Sequence, residues 1–442
     1  MPPSKPHSVA ARQIEVAGTS GQRPCRPFCG LVFAIGRQRR YVGLVHIFVD
    51  EFSVTGHWEG IFDEPALCRW AESLRASLRA PQVSLGLVFM SPEWFADAEE
   101  TLEVLRVHAQ IPLLLGCSSA GLIVNRQEIE GVPGLVLGLY SLPGAELRTA
   151  HFTQEQVETA EQPAHWSHVT RVRPEDTSGW LVFADPFHLD GETWLAQWNE
   201  AFPGLPVLGG LASGRGSEQR TQIYLDGEVH EDGAVALSVG GAVELRGGVS
   251  QGATPIGQPW TITRVEGNLI QEIANRPAYQ VLADTVKGLS DEEQKRAQGN
   301  LLVGFVTNEY QEEFQRGDFL IRNLLGGDPK SGVLAVGARP RPGQSLQFQC
   351  RDPEAATEDL LESFTRTRDA VDGRPLYGGC LCLCNGRGQR LFKRHNHDAE
   401  LTQEVFGPLG VTGFFGSGEM GPIGGRNYLH GYTASLALFA KK

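Results

Sequence analysis

At 442 residues the chain is longer than one ordinary hydrophobic core supports, so two or three domains are expected. A content of 41% hydrophobic and 21% charged residues is ordinary for a soluble globular protein. The formal net charge of −13 is uneven: residues 1–49 carry Lys5, Arg12, Arg23, Arg26, Arg37, Arg39 and Arg40 against Glu15 alone, a net of +6, which leaves −13 − 6 = −19 on the remainder and argues against nucleic acid as a main partner.

Taken in chain order, residues 1–57 read as a disordered or mis-started extension, rich in Pro, Arg and Ser before Leu31. Their apolar runs, Leu31–Gly36 and Tyr41–Val49, are too short to span a bilayer and are parted by Arg37, Arg39 and Arg40, so no integral membrane segment is expected. Folded structure is expected from near Trp58. Asp63-Glu64-Pro65 starts a helix in which Leu67, Trp70, Ala71, Leu74 and Leu78 share one face. Val83–Met90 is a continuous apolar strand, a helix covers about Phe95–Ala109, and a strand follows at Pro112–Gly116.

That order repeats. GLVFMSP at Gly86–Pro92 is echoed by WLVFADP at Trp180–Pro186, and PLLLGCSS at Pro112–Ser119 by PVLGGLAS at Pro206–Ser213, both at an offset of 94 (182 − 88 and 206 − 112). Residues 58–285 therefore read as an internally duplicated α/β domain. The remainder, 286–442, reads as an α+β domain with a mixed sheet. A polar helix at Asp291–Ala297 is followed by strands at Leu301–Val306, Asp318–Leu325 and Ser345–Cys350, then a helix capped by Asp352-Pro353. In LYGGCLCLCNGRG, Leu376–Gly388, cysteines alternate with leucines, so the strand is central in its sheet and Asn385-Gly386 is the expected hairpin turn.

Next comes GFFGSGEMGPIGGRNYLHGYTASLALF, Gly413–Phe439, with six glycines between Gly413 and Gly425 and a lone carboxylate, Glu419, among them. A Gly-rich loop carrying spaced polar groups between apolar strands is a common way to build a binding site; a plain turn with solvated side chains is the alternative. Glu419 can pair with a ligand ammonium or accept a hydrogen bond. Arg322 and Arg387 can clamp a carboxylate unless they merely pair with Asp318 or cover a hairpin. Asn427 and His430 can read polar ligand atoms, and Gly418, Asn385 and Ser118 complete the expected ligand-binding set.

Other chemistry reads less well. Cys380, Cys382 and Cys384 alternate along a strand, which suits buried small hydrophobes better than a metal site. His395, His397 and Asp398 read as a solvated loop, so no metal and no cofactor are expected. Cys117 lacks a nucleophile elbow, and the second copy places Leu211 at its position, so no catalytic residue is assigned. Eight cysteines without regular spacing suggest no disulfide framework, and a cytoplasmic location is expected.

The Gly413–Phe439 stretch resembles the closing signature of the C-terminal half of FIST domains. GDFLIRN (Gly317–Asn323) and CNGRG (Cys384–Gly388) look like motifs of the same half, and GCSSAG (Gly116–Gly121) resembles a loop of the N-terminal half. The resemblance covers most of residues 58–440 and implies a sensory module that binds a small polar ligand, with amino acids the class to try first. No output segment is visible, so a separate protein partner would carry the signal. An adaptor without a ligand, and an enzyme using Cys117 with His430, are the alternatives.

Overall fold

The computed structural model describes residues 45–442 apart from 216–218, 312 and 315. Most of the expected extension therefore lies outside the described residues. Residues 45–57, included in that extension above, instead form one strand and most of a second.

The chain runs through one strand–helix–strand–helix–strand–hairpin–strand pattern three times. The first repeat is preceded by β1 (Val45–Val49). It comprises β2 (Ser53–Glu59), α1 (Glu64–Ser77), β3 (Leu85–Met90), α2 (Ala98–His108), β4 (Leu114–Ser118), the hairpin β5 (Gly121–Val124) and β6 (Gln127–Glu130), and β7 (Gly134–Tyr140). The second comprises β8 (Ala145–Phe152), α3 (Gln154–Thr159), α4 (Ala164–Thr170), β9 (Gly179–Ala184), α5 (Gly191–Ala201), β10 (Val207–Leu211), the hairpin β11 (Ile223–Leu225) and β12 (Glu228–His230), and β13 (Ala234–Gly241).

The third begins with β14 (Val243–Ser250) and is interrupted. The insertion holds β15 (Ala253–Glu266), β16 (Leu269–Ile273), β17 (Arg276–Pro277), α6 (Ala278–Lys287), α7 (Asp291–Ala297), β18 (Leu301–Val306), β19 (Phe319–Asp328), β20 (Val333–Val336) and β21 (Ser345–Arg351). The repeat then resumes with α8 (Pro353–Val371), β22 (Leu376–Cys384), α9 (Gly388–Phe392), α10 (His397–Phe406), β23 (Val411–Gly416), the hairpin β24 (Gly418–Ile423) and β25 (Arg426–His430), and β26 (Ala434–Lys441).

Each repeat makes one sheet and lends its hairpin to another. The orders β1-β2-β7-β3-β4-β11-β12, β8-β13-β9-β10-β24-β25 and β14-β26-β22-β23-β5-β6 are one arrangement, the first with β1 added at its edge. The inserted strands form a fourth sheet, β15-β21-β18-β19-β20-β16-β17, which closes into a barrel because β15 also pairs with β16.

Strand alternation explains how the sheets pack. Leu85, Leu87 and Phe89 of β3 join one central core with Leu181 and Phe183 of β9, Cys380 and Cys382 of β22, and Phe414 of β23. Phe89, Phe183 and Phe414 meet there at centroid distances of 4.9–5.6 Å. Val88 and Met90, on the other face of β3, pack under Leu67, Trp70 and Leu74 of α1. The expected face of α1 and its Asp63 cap are both present. Because both faces of these strands are buried, their sequences read as continuous apolar runs.

The strand register corrects the duplication. Gly116 lies opposite Val88 and Gly209 opposite Val182, so Gly210, not Leu211, stands at the position of Cys117. Gly413 opposite Leu381 is the third member. A Cβ at Gly116, Gly209 or Gly413 would fall 1.6–2.0 Å from the facing carbonyl oxygen, so only glycine allows this close approach of the parallel strands.

Two further expectations change. Asn385-Gly386 does form a turn, closed by the Arg387 N–H donating to Cys384 O (2.8 Å), but it leads into α9 and not into a hairpin. The boundary expected between residues 285 and 286 falls inside α6, within the inserted barrel.

Candidate functional site

The Gly-rich stretch is a hairpin, β24–β25, and not a ligand loop. Its turn uses Gly424 and Gly425 at positive φ, while Gly421 is in the strand because a Cβ there would come within 2.1 Å of Val249 Cγ1. Gly418 has a similar reason: its Cβ would meet Leu211 and the His430 carbonyl at 3.1–3.2 Å.

Along β24, Met420 faces the core under α5, so Glu419 faces inward. It is fully buried. Its Oε2 accepts from the Thr433 hydroxyl (2.5 Å) and N–H (3.3 Å), while Oε1 has no partner among the described residues. Burial pushes its pKa up to about 8, against the downward pull of Thr433 and the Arg387 charge, so the group is largely protonated at neutral pH. His430 is directly opposite on β25. Its Nε2 donates to Gly421 O (3.0 Å), leaving buried Nδ1 without a partner, and burial lowers its pKa to about 4.

The repeats show that this carboxyl is not a scaffold requirement. Glu419 pairs with Gly210; the equivalent pairs are Ile223 with Cys117 and Leu122 with Phe414. One position thus holds leucine, isoleucine and glutamate in the three hairpins, all buried.

The other expected site residues are dispersed, except that Asn427 lines one cleft with Arg322. Arg387 is fully buried and does clamp a carboxylate, but the protein's own: Nε and a terminal nitrogen donate to Asp398 at 2.6 and 3.0 Å, holding the Asp398 pKa down at about 2 against the penalty of burial. Asn385 sits half-buried at the preceding turn. Ser118 is buried at the end of β4, donating to Ser213 O (3.0 Å) and accepting from the Gln222 N–H (3.0 Å). The Asn427 side chain bonds Asn199, Leu205 O and the Val207 N–H, tying β25 to α5 and β10. His397 bonds Asp398 and Thr357, and no cluster able to hold a metal occurs among the described residues.

Arg322 differs. It leaves β19 of the barrel and pairs not with Asp318 but with Glu192 of α5, at 2.9 Å. Its side chain is 10% exposed against 51% for Glu192, and burial lowers its pKa despite that partner. It lines a cleft of about 210 Å³ between the second repeat and the barrel, with Glu192, Asn199, Arg339, Gln344 and Arg426. Glu192 and Arg339 escaped the sequence reading because they come from distant segments with no local motif, whereas Arg426 lies in the Gly-rich stretch itself but was not assigned a ligand role. A second cleft, of about 390 Å³, lies between β14, α8 and the β24–β25 turn.

Set beside known families, the chain matches the FIST N domain over residues 84–276 and the FIST C domain over residues 278–422. It belongs to the FIST family, whose domains are generally described as sensory. An uncharacterized protein of Mycobacterium tuberculosis is 34% identical over 371 residues, covering 84% of this chain and 94% of its own length. Another, of Mycobacterium bovis, is 35% identical over 373 residues with the same coverage. A solved structure described as "Cyanuric acid hydrolase: evolutionary innovation by structural concatenation" covers 88% of this chain and 100% of its own at 10% identity and a TM-score of 0.28, a likeness too slight to bear on fold or function. Among the described residues no helix is long and apolar enough to cross a membrane.

Proposed function

We propose that the protein is a small-ligand sensor that binds a carboxylate-bearing metabolite, amino acids first among them, in the cleft between the second repeat and the barrel. The observation that carries this reading is Arg322, a nearly enclosed guanidinium whose carboxylate partner, Glu192, stands half in solvent. A ligand carboxylate can share or replace Glu192, in the bidentate geometry a guanidinium favours. Arg339 and Arg426 add positive charge, and Glu192 can then receive a ligand ammonium. At about 210 Å³ the cleft suits a molecule below drug size. Because one wall belongs to the barrel and the other to α5 and β25, a ligand favouring one spacing of the two would shift a population that a separate protein partner, in the cytoplasm, reads.

Binding is favoured over turnover because Cys117 lies in the central core, where burial drives its thiol pKa well up and withholds the thiolate. Glu419 and His430 stand behind the site and not in it. The test is thermal unfolding against a panel of amino acids and small carboxylates. A saturable stabilisation is expected, about 2.7 kcal/mol at a hundredfold excess over Kd; Arg426→Ala should weaken it and Arg322→Ala abolish it. A response unchanged in both variants places the ligand elsewhere, and a flat response across the panel favours an adaptor.

A further inference from the structure

The three repeats expose three equivalent sheet edges, formed by β2, β8 and β14, and treat them differently. On β2 the edge is paired over five residues with β1, antiparallel. On β14 the odd-numbered residues face outward, since the Lys442 N–H donates to Ala242 O on the β26 side. Two of those outward groups are occupied: the Leu245 N–H donates to Ser178 Oγ and Val249 O accepts from Ser363 Oγ, both at 3.0 Å.

On β8 the central outward groups are bare, the Ala145 N–H at its start being taken by Leu142 O (3.1 Å). The Ala242 N–H donates to Gly144 O (2.8 Å), so even-numbered residues of β8 face β13 and Ala145, Leu147, Thr149 and His151 face outward. The N–H and C=O of Leu147 and Thr149 have no partner among the described residues. An eight-residue strand with free ladder groups is what proteins ordinarily cover or block. Like charges would block it. Here exposed Glu146 and Arg148 flank Leu147, two residues apart on one face and opposite in sign.

We propose that two copies of this chain associate through β8, antiparallel, about a twofold axis at Leu147. Parity and charge together select that register. Leu147 lies opposite its own copy and Ala145 opposite Thr149, so the two Leu147 residues exchange both ladder bonds and the Thr149 N–H meets the Ala145 carbonyl. Glu146 of each copy lies opposite Arg148 of the other, giving two cross-strand pairs of opposite charge. Moving the axis to Arg148 would keep the outward groups facing one another but set Arg148 against Arg148 and Glu146 against Ala150, losing both pairs of opposite charge. The half-buried Leu147 side chains meet on the inner face, where each already packs on the central core. Each β8 then does for its copy what β1 does for β2, over the same five-residue length. A C2 interface of this kind is self-complementary and closed.

The test is sedimentation velocity on the full chain over a wide range of concentration. A dimer is expected, with Glu146→Arg or Arg148→Glu each weakening association by about tenfold or more. The double variant E146R/R148E restores it. A mixture of the two single variants forms a heterodimer, which general destabilisation cannot produce. Thr149→Pro removes an outward N–H without touching the β13 ladder and should give a folded monomer by circular dichroism. A wild-type chain that stays monomeric overturns the proposal, as does a dimer indifferent to all three single substitutions.

Discussion

The first two repeats and the third share one strand order and are filled by different rules. In the first two, the buried polar side chains are mostly hydroxyls, with Glu128 and Asp185 the buried carboxylates among the described residues. The third carries the inserted barrel, the fully buried Arg387–Asp398 pair, and Glu419 where its counterparts are Leu122 and Ile223. A carboxyl with one unpartnered oxygen in a position that accepts leucine costs stability. The comparison teaches that the scaffold needs only small and apolar residues at these points, and that polarity has been added where the third repeat meets the barrel.

The strongest way to break that contrast is to remove one half of the buried pair. Arg387→Met should cost about 3–5 kcal/mol, because Asp398 is left charged and enclosed, and should be read from urea unfolding. A cost near zero would mean that the pair is ornamental and the third repeat no different from the others.

Next in size is a pH effect. Glu419, raised to about 8 from an ordinary 4.5, holds a proton that the unfolded chain has lost, so stability falls as pH rises through that window. His430, lowered to about 4 from 6.5, refuses a proton that the unfolded chain accepts, so stability falls as pH drops from 6.5 towards 4. The slopes oppose each other between 4.5 and 6.5; above 6.5 the fall from Glu419 continues towards 8, roughly a few kcal/mol in all. Glu128, raised to about 7 mainly by burial, adds a smaller fall of the same sign. The midpoint of Glu419→Gln should therefore decline less steeply between pH 6.5 and 8 than that of the wild type; parallel curves would rule Glu419 out as the source.

Smaller still, Gly116→Ala, Gly209→Ala and Gly413→Ala should each cost about 1–3 kcal/mol or more, since the new Cβ meets a main-chain carbonyl that cannot move without parting two strands. Comparable losses at all three would sharpen the equivalence of the repeats, and a neutral Gly413→Ala would break it. Smallest of all, Glu419→Leu should gain up to about 1 kcal/mol by restoring the residue type of the other hairpins.

Much of the framework could be read from local patterns. Asp63 and Asp352 cap their helices as expected, and β22 is central between β26 and β23. The third repeat could not, because residues 253–351 separate β14 from α8 and because Cys382 and Phe414 replace the Phe-and-Cys pattern of the first copy. The glycines of 413–425 looked like a loop because glycine marks both turns and close strand contacts, and sequence alone does not say which. Of the site, Arg322 was legible as a cation. Its partner Glu192 is 130 positions away and was not.

The exchange of hairpins has a consequence for biosynthesis. Sheet one waits for β11–β12, sheet two for β24–β25, and the β5–β6 hairpin, made early, finds its neighbour β23 only near the end of the chain. At about 5–20 residues per second the ribosome leaves that hairpin unpaired for tens of seconds. No fragment lacking the third repeat completes all its sheets, so truncated chains should be chaperone clients and not stable domains, and folding should be slow and concerted, as its many long-range pairings dictate.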